Sequence, residues 1–205
     1  MRAFHRTLPG YQPTPLVALP DLAKEVGVKG VYIKDESKRF GLNAFKALGA
    51  SYAIHKLFPD GNVGLTVTAT DGNHGKGMAW STHRLGGHAV VFMPAGTVAS
   101  RVEAIRAIGD TEVTVTDLNY DGTVATAAAY AKEHGGHLVQ DTAFAGYEEV
   151  PKNITLGYST MAAEALEELA ALGVGEPTHT FLQAGVGSMA GGVAAYLAET
   201  CKNPP

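Results

Sequence analysis

Apolar and polar positions alternate along the chain on two periods. Short β-branched runs at residues 31–34, 65–69, 89–93, 112–116, 137–139 and 179–182 read as strands, while 44–57, 74–85, 99–108, 122–133, 157–171 and 188–199 carry apolar residues at helical spacing. Strands that take turns with helices predict βα units around a parallel sheet, hence an α/β fold. Glycines punctuate the pattern where helices should end, at Gly86-Gly87, Gly109, Gly135-Gly136 and Gly173. The opening Gln12-Pro13-Thr14-Pro15 is limited by its prolines and is expected to lie extended across the surface. Soft boundaries at residues 59–62 and 145–153 bracket a block, 60–155, that could fold as a domain of its own.

Composition narrows what such a fold is for. Of 205 residues, 45% are hydrophobic and 18% charged, enough for a substantial core in one large domain or two small ones. A net charge of −4 without a cluster of Lys and Arg argues against nucleic acid as a partner. No run reaches the roughly 18 apolar residues of a membrane span, and the first residues lack the apolar centre of an export signal. A single cysteine, Cys201, forms no intrachain disulfide and fits a reducing compartment, so the cytoplasm is the expectation. The chain stops directly after a helical stretch with no strand to close the unit, the pattern expected of a piece of a longer protein.

Three segments carry chemistry. Lys46 opens an apolar helical stretch just after Asn43, a possible helix cap, with Phe45, Ala47, Leu48 and Ala50 as neighbours. Burial and a positive helix end disfavour the ammonium form, which is how a lysine becomes an imine-forming nucleophile; the blander alternative is a lysine that snorkels to solvent. Thr70-Asp71-Gly72-Asn73-His74-Gly75 sits at the carboxyl end of a strand, where ligands of open α/β sheets collect. Asp71 there could act as acid or base, or could with Asn73 merely cap the next helix; His74 is expected to be packed and not a metal ligand. Gly185-Val186-Gly187-Ser188-Met189-Ala190-Gly191-Gly192 runs into a helix and forms an anion cradle without a Walker lysine. Asp141, past the end of another strand, could reach the same rim or remain a loop carboxylate, and Glu164, Glu167 and Glu168 are expected to face solvent.

In combination these segments resemble the fold-type II pyridoxal phosphate enzymes, the superfamily of threonine dehydratase and the tryptophan synthase β chain, and within it most closely the diaminopropionate ammonia-lyases. Lys34-Asp35-Glu36-Ser37 through Phe45-Lys46-Ala47-Leu48-Gly49-Ala50 looks like the cofactor-lysine segment. Thr70 to Gly75 looks like the asparagine loop, with Asp71 where most relatives carry Ser or Ala. Gln140-Asp141-Thr142-Ala143 and Gly157-Tyr158 are similar to the ammonia-lyase branch, and Gly185 to Ala190 to the loop that holds the cofactor phosphate. The segment 55–64 is shorter than the family pattern, and roughly the last half of a member is missing.

The resemblance implies two open parallel-sheet domains of three αβα layers with pyridoxal 5'-phosphate between them. Residues 1–59 and 156–205 would belong to the large domain, whose C-terminal part is absent, and 60–155 would form the small one. It implies a homodimeric lyase that takes 2,3-diaminopropionate to pyruvate and ammonia. Lys46 is then the cofactor lysine and the base for the L isomer, Asp71 the base for the D isomer, and Asp141 their assistant. Asn73 is implied to contact the ring oxygen, and Gly185, Val186, Gly187, Ser188 and Met189 the phosphate. Two other readings stay open: a dehydratase acting on serine or threonine, and a truncated chain that binds the cofactor without catalysis.

Overall fold

The computed structural model describes residues 1–205. Its elements in order are α1 (Arg2–His5), β1 (Leu16–Ala18), α2 (Pro20–Val26), β2 (Tyr32–Lys34), a 3-10 segment (Glu36–Gly41), α3 (Lys46–Leu57), β3 (Leu65–Ala69), α4 (Asn73–Arg84), β4 (His88–Met93), α5 (Ala99–Arg106), β5 (Thr111–Val115), α6 (Tyr120–Glu133), β6 (His137–Leu138), α7 (Glu149–Ala171) and α8 (Ser188–Thr200). Strands β3 to β6 make one parallel sheet in the order β5-β4-β3-β6, with Val67 opposite both Val90 and Leu138. β1 and β2 form a separate antiparallel pair.

β3 and β4 are apolar or threonine-rich at nearly every position because helices cover both faces of the sheet. The larger core gathers Leu48, Ile54, Met78, Val91, Met93, Ile105, Ile154 and Tyr158 between the sheet and α3, α4 and α7. The smaller one, with Val67, Phe92 and Ala127, lies under α6. Removing each large aliphatic side chain of this kind from water contributes roughly 2 kcal/mol.

α3 is held by two backbone contacts that only glycine permits. A Cβ at Gly77 of α4 would stand 2.7 Å from the Lys46 carbonyl carbon, and one at Gly157 of α7 would stand 2.5 Å from the Leu48 oxygen. Two neighbouring helices therefore press on the first turn of α3 and fix where Lys46 begins.

The structure departs from the sequence pattern in several places. Residues 179–182 are not a strand: no other strand lies alongside to complete a ladder, and Phe181 is 93% exposed. α7 starts at Glu149 and not at 157, because Pro151 falls in its first turn, where a helix needs no amide donor. Asn43 does not cap α3; it adopts a left-handed conformation, φ 58°, that asparagine tolerates, and Phe45 occupies the cap position without a side-chain bond. Nor do Asp71 and Asn73 cap α4, whose N-cap is Gly72.

The expectation that Glu164 faces solvent is corrected, whereas Gln12, Pro13 and Pro15 lie exposed in an irregular segment, as expected. Thr14 is buried, and so is Glu164, which receives a forked bond from Arg39 at 2.9 and 2.7 Å. Tyr11 donates its hydroxyl to the same carboxylate at 2.7 Å, and Lys34 bonds to Glu168. This network ties β1, β2 and the 3-10 segment onto α7. Its charges pull the Glu164 carboxyl down to about 2 even though burial acts to raise it.

Candidate active site

At the carboxyl end of the sheet the chain turns from β3 into α4, and Thr70 organises that turn by accepting bonds from the amides of Gly72 and Gly75 at 3.0 and 3.1 Å. Asp71 and Asn73 consequently point outward. The Asp71 side chain is 77% exposed, with Arg101 3.9 Å from its carboxylate, and the Asn73 amide bonds to no other protein group. His74, in contrast, turns inward and is buried; its Nε2 meets the Val139 carbonyl at 2.7 Å.

The neighbouring strand end, that of β6, delivers Asp141. The Lys46 ammonium donates to Asp141 Oδ2 at 2.6 Å, and His74 Nδ1 lies 3.7 Å from the same oxygen. Burial would raise the Asp141 carboxyl, but His74 and Lys46 outweigh it and hold the group below its usual value. Lys46 thus does have polar company, contrary to its sequence neighbourhood, and it also stands 5.7 and 5.9 Å from the ring centres of Phe45 and Tyr158.

The glycine segment closes the group. Ser188, first residue of α8, donates its hydroxyl to the Asp141 carbonyl at 2.9 Å. The first backbone bond of α8 runs from Gly191 to Gly187, so the amides of Ser188, Met189 and Ala190 have no partner within the helix. Gly187 takes φ 89°, a conformation that favours glycine, and space is open around Gly185, Gly187 and Gly191, where a Cβ would meet nothing within 4 Å. Val186 is half exposed and Met189 partly buried against the core.

Three tyrosines that sequence reasoning left without a role stand around Asp141. Tyr120 accepts from Gln140 at 2.9 Å, and Tyr147 donates to the Leu138 carbonyl at 2.8 Å. Tyr158 is fully buried with its hydroxyl unpaired, and burial pushes it well above its ordinary value. Only Tyr158 belongs to a segment singled out in the sequence, with Gly157, and spacing gives none of the three a role because their places around Asp141 are set by folding. No group of three or more His, Cys, Asp or Glu side chains gathers as a metal cage.

A lysine nitrogen held on a buried carboxylate, together with helix-end amides that have no partner within α8, suits a phosphorylated carbonyl compound. The family described as "Pyridoxal-phosphate dependent enzyme" matches residues 7–205. The chain belongs to this family. Among curated members, the diaminopropionate ammonia-lyase of Escherichia coli (strain K12) is 49% identical over 97% of this chain and 54% of its own length. The enzyme of the same name from Salmonella typhimurium is 48% identical over 96% and 54%. The chain therefore spans about half the length of the curated relatives it matches.

Among solved structures, the apo form of the E. coli ammonia-lyase superposes with a TM-score of 0.91 at 50% identity, over 97% of this chain and 57% of that one. Threonine deaminase isoform 2 from Solanum lycopersicum superposes at 0.80 with 25% identity, covering 98% of this chain and 52% of the other. A further structure of the E. coli enzyme is described as a complex with an aminoacrylate-PLP azomethine reaction intermediate. The fold-type II architecture follows from these likenesses and from the parallel sheet with its covering helices. No helix is long and apolar enough to cross a membrane.

Proposed function

We propose that this chain supplies the cofactor lysine, the substrate-facing loop and the phosphate loop of a pyridoxal 5'-phosphate-dependent ammonia-lyase that converts D- and L-2,3-diaminopropionate to pyruvate and ammonia. What supports the reading most is the 2.6 Å bond between Lys46 and Asp141, at a residue whose carbonyl also receives Ser188. Lysine helix, strand end and glycine loop converge there. The likeness to ammonia-lyases at 49% identity adds the choice of substrate.

When bound, pyridoxal phosphate supplies an electron sink that acidifies the Cα–H of an attached amino acid. Lys46 offers the amine that holds the cofactor and takes the α proton of the L isomer. Asp71, open to solvent and only loosely paired with Arg101, takes the proton of the D isomer. Asp141 keeps the Lys46 nitrogen aimed, and Asn73 contacts the ring oxygen with an amide that has no other partner. The amides of Gly185, Val186, Gly187, Ser188 and Met189 meet the phosphate at the positive end of α8.

In this reading residues 60–155 are the smaller domain, 1–59 and 156–205 are part of the larger, and the protein works as a cytoplasmic homodimer. A lone cysteine suits a reducing compartment, and the native mass tests the dimer. Pyruvate release from each diaminopropionate isomer, set beside release from L-threonine, tests the reaction. Release from both isomers and little from threonine is expected; the reverse preference overturns the assignment in favour of a dehydratase.

A further inference from the structure

The Asp141 carboxylate has a second potential partner that the mechanism leaves unused. His74 Nε2 lies 2.7 Å from the Val139 carbonyl, and a carbonyl only accepts, so Nε2 carries a hydrogen. Its other nitrogen, Nδ1, is buried, without any hydrogen-bond partner, and 3.7 Å from the oxygen that Lys46 holds. A bare Nδ1 lone pair there would face a carboxylate oxygen, whereas an N–H would face an acceptor. The other charges near the first turn of α4 are engaged elsewhere: Asp71 faces Arg101, and Lys76 donates to the Leu42 carbonyl at 3.4 Å. The remaining polar groups around Asp141, Tyr120, Tyr147 and Tyr158, are phenols.

We propose that His74 is a positioning residue that takes over Asp141 through a protonated Nδ1 whenever the Lys46 amine is drawn away to react with a carbonyl. Asp141 is 5% exposed, and a buried carboxylate stripped of its donor is strongly disfavoured. A shift of about 1 Å brings Nδ1 into bonding range of Oδ2. Meanwhile Ser188 anchors the Asp141 backbone and the Val139 carbonyl anchors the imidazole, so neither partner has far to travel. Asp141 then stays ionised and in place while Lys46 works. This role rests on the reading of Lys46 as the reacting amine, yet the contact itself can be tested without any cofactor.

In Lys46→Ala, which removes the competing amine, ¹⁵N spectra are expected to show His74 Nδ1 protonated wherever Asp141 is ionised, and carboxyl ¹³C shifts to keep Asp141 titrating below the usual aspartate range. Adding His74→Asn, whose amide replaces the Nδ1 donor without its charge, keeps the midpoint lower than His74→Gln does. Adding His74→Gln, whose amide replaces Nε2 and keeps only the Val139 bond, raises it by about one pH unit or more, tenfold in the acid constant. If Gln holds the Asp141 midpoint as well as Asn does, or if Nδ1 is bare beside an ionised Asp141, the proposal fails and His74 is only a prop for Val139. The ¹⁵N result decides even if one double variant does not fold. Failure of the cofactor reading shows separately, as an absorption band of pyridoxal phosphate that does not shift to longer wavelength when it meets the unsubstituted chain.

Discussion

Asp71 and Asp141 illustrate how environment divides labour between identical side chains. One is open to solvent beside a loosely placed arginine; the other is buried between an ammonium and an imidazole. An exposed carboxylate can meet substrate, while a buried, paired one orients its neighbour. Asp71→Asn is accordingly expected to lower pyruvate release from the D isomer by about 100-fold or more while leaving the L isomer within about tenfold, because one general base contributes on that order. Equal losses on both isomers would contradict the assignment of Asp71 to one of them. Asp71, Asn73 and the glycine loop could be named as candidates because each belongs to a short local motif. The Lys46–Asp141 bond was not, since its partners are 95 residues apart, nor was Arg39–Glu164, at a separation of 125. Spacing cannot register a contact made by folding.

α3 owes its position to glycines on its neighbours, and that makes a claim about elements. Gly77→Ala and Gly157→Ala put a methyl group against backbone, which cannot retreat as a side chain can. Each is expected to cost about 1–3 kcal/mol in denaturant unfolding, whereas Gly10→Ser, at an open surface turn with φ 78°, bears only local strain. The strap from the N-terminus works by charge. Glu164→Gln leaves the buried Arg39 with Glu36 as its only remaining counter-ion, and a loss of about 1–3 kcal/mol is expected. Most helices and the four sheet strands could be read from periodicity. The false strand at 179–182 shows its limit, because an apolar run declares itself ready to pair but says nothing of whether a neighbour is present. Likewise β1, α1 and α2 were hidden by brevity, too short to express a period.

For the molecule as a whole, acid is the informative stress. His5 is buried between α3 and α7, bonded to the Leu48 carbonyl at 2.9 Å and to the Thr160 hydroxyl at 2.7 Å, and burial lowers it from 6.5 to about 4. The unfolded chain binds this proton first, so stability falls as pH drops from 6.5 towards 4, by about 3 kcal/mol in total. Glu164 acts lower: its contribution is complete above 4.5 and disappears as pH falls through about 2. Urea unfolding at pH 7 and pH 4 should show the first loss, and His5→Gln should flatten it. Beyond stability, the proposed chemistry turns on one amine. Reduction of the chain with borohydride in the presence of pyridoxal 5'-phosphate, followed by peptide mass analysis, should find the pyridoxyl group on Lys46 and none in Lys46→Ala. A label spread over surface lysines such as Lys38 and Lys132, with Lys46 unmodified, would contradict it.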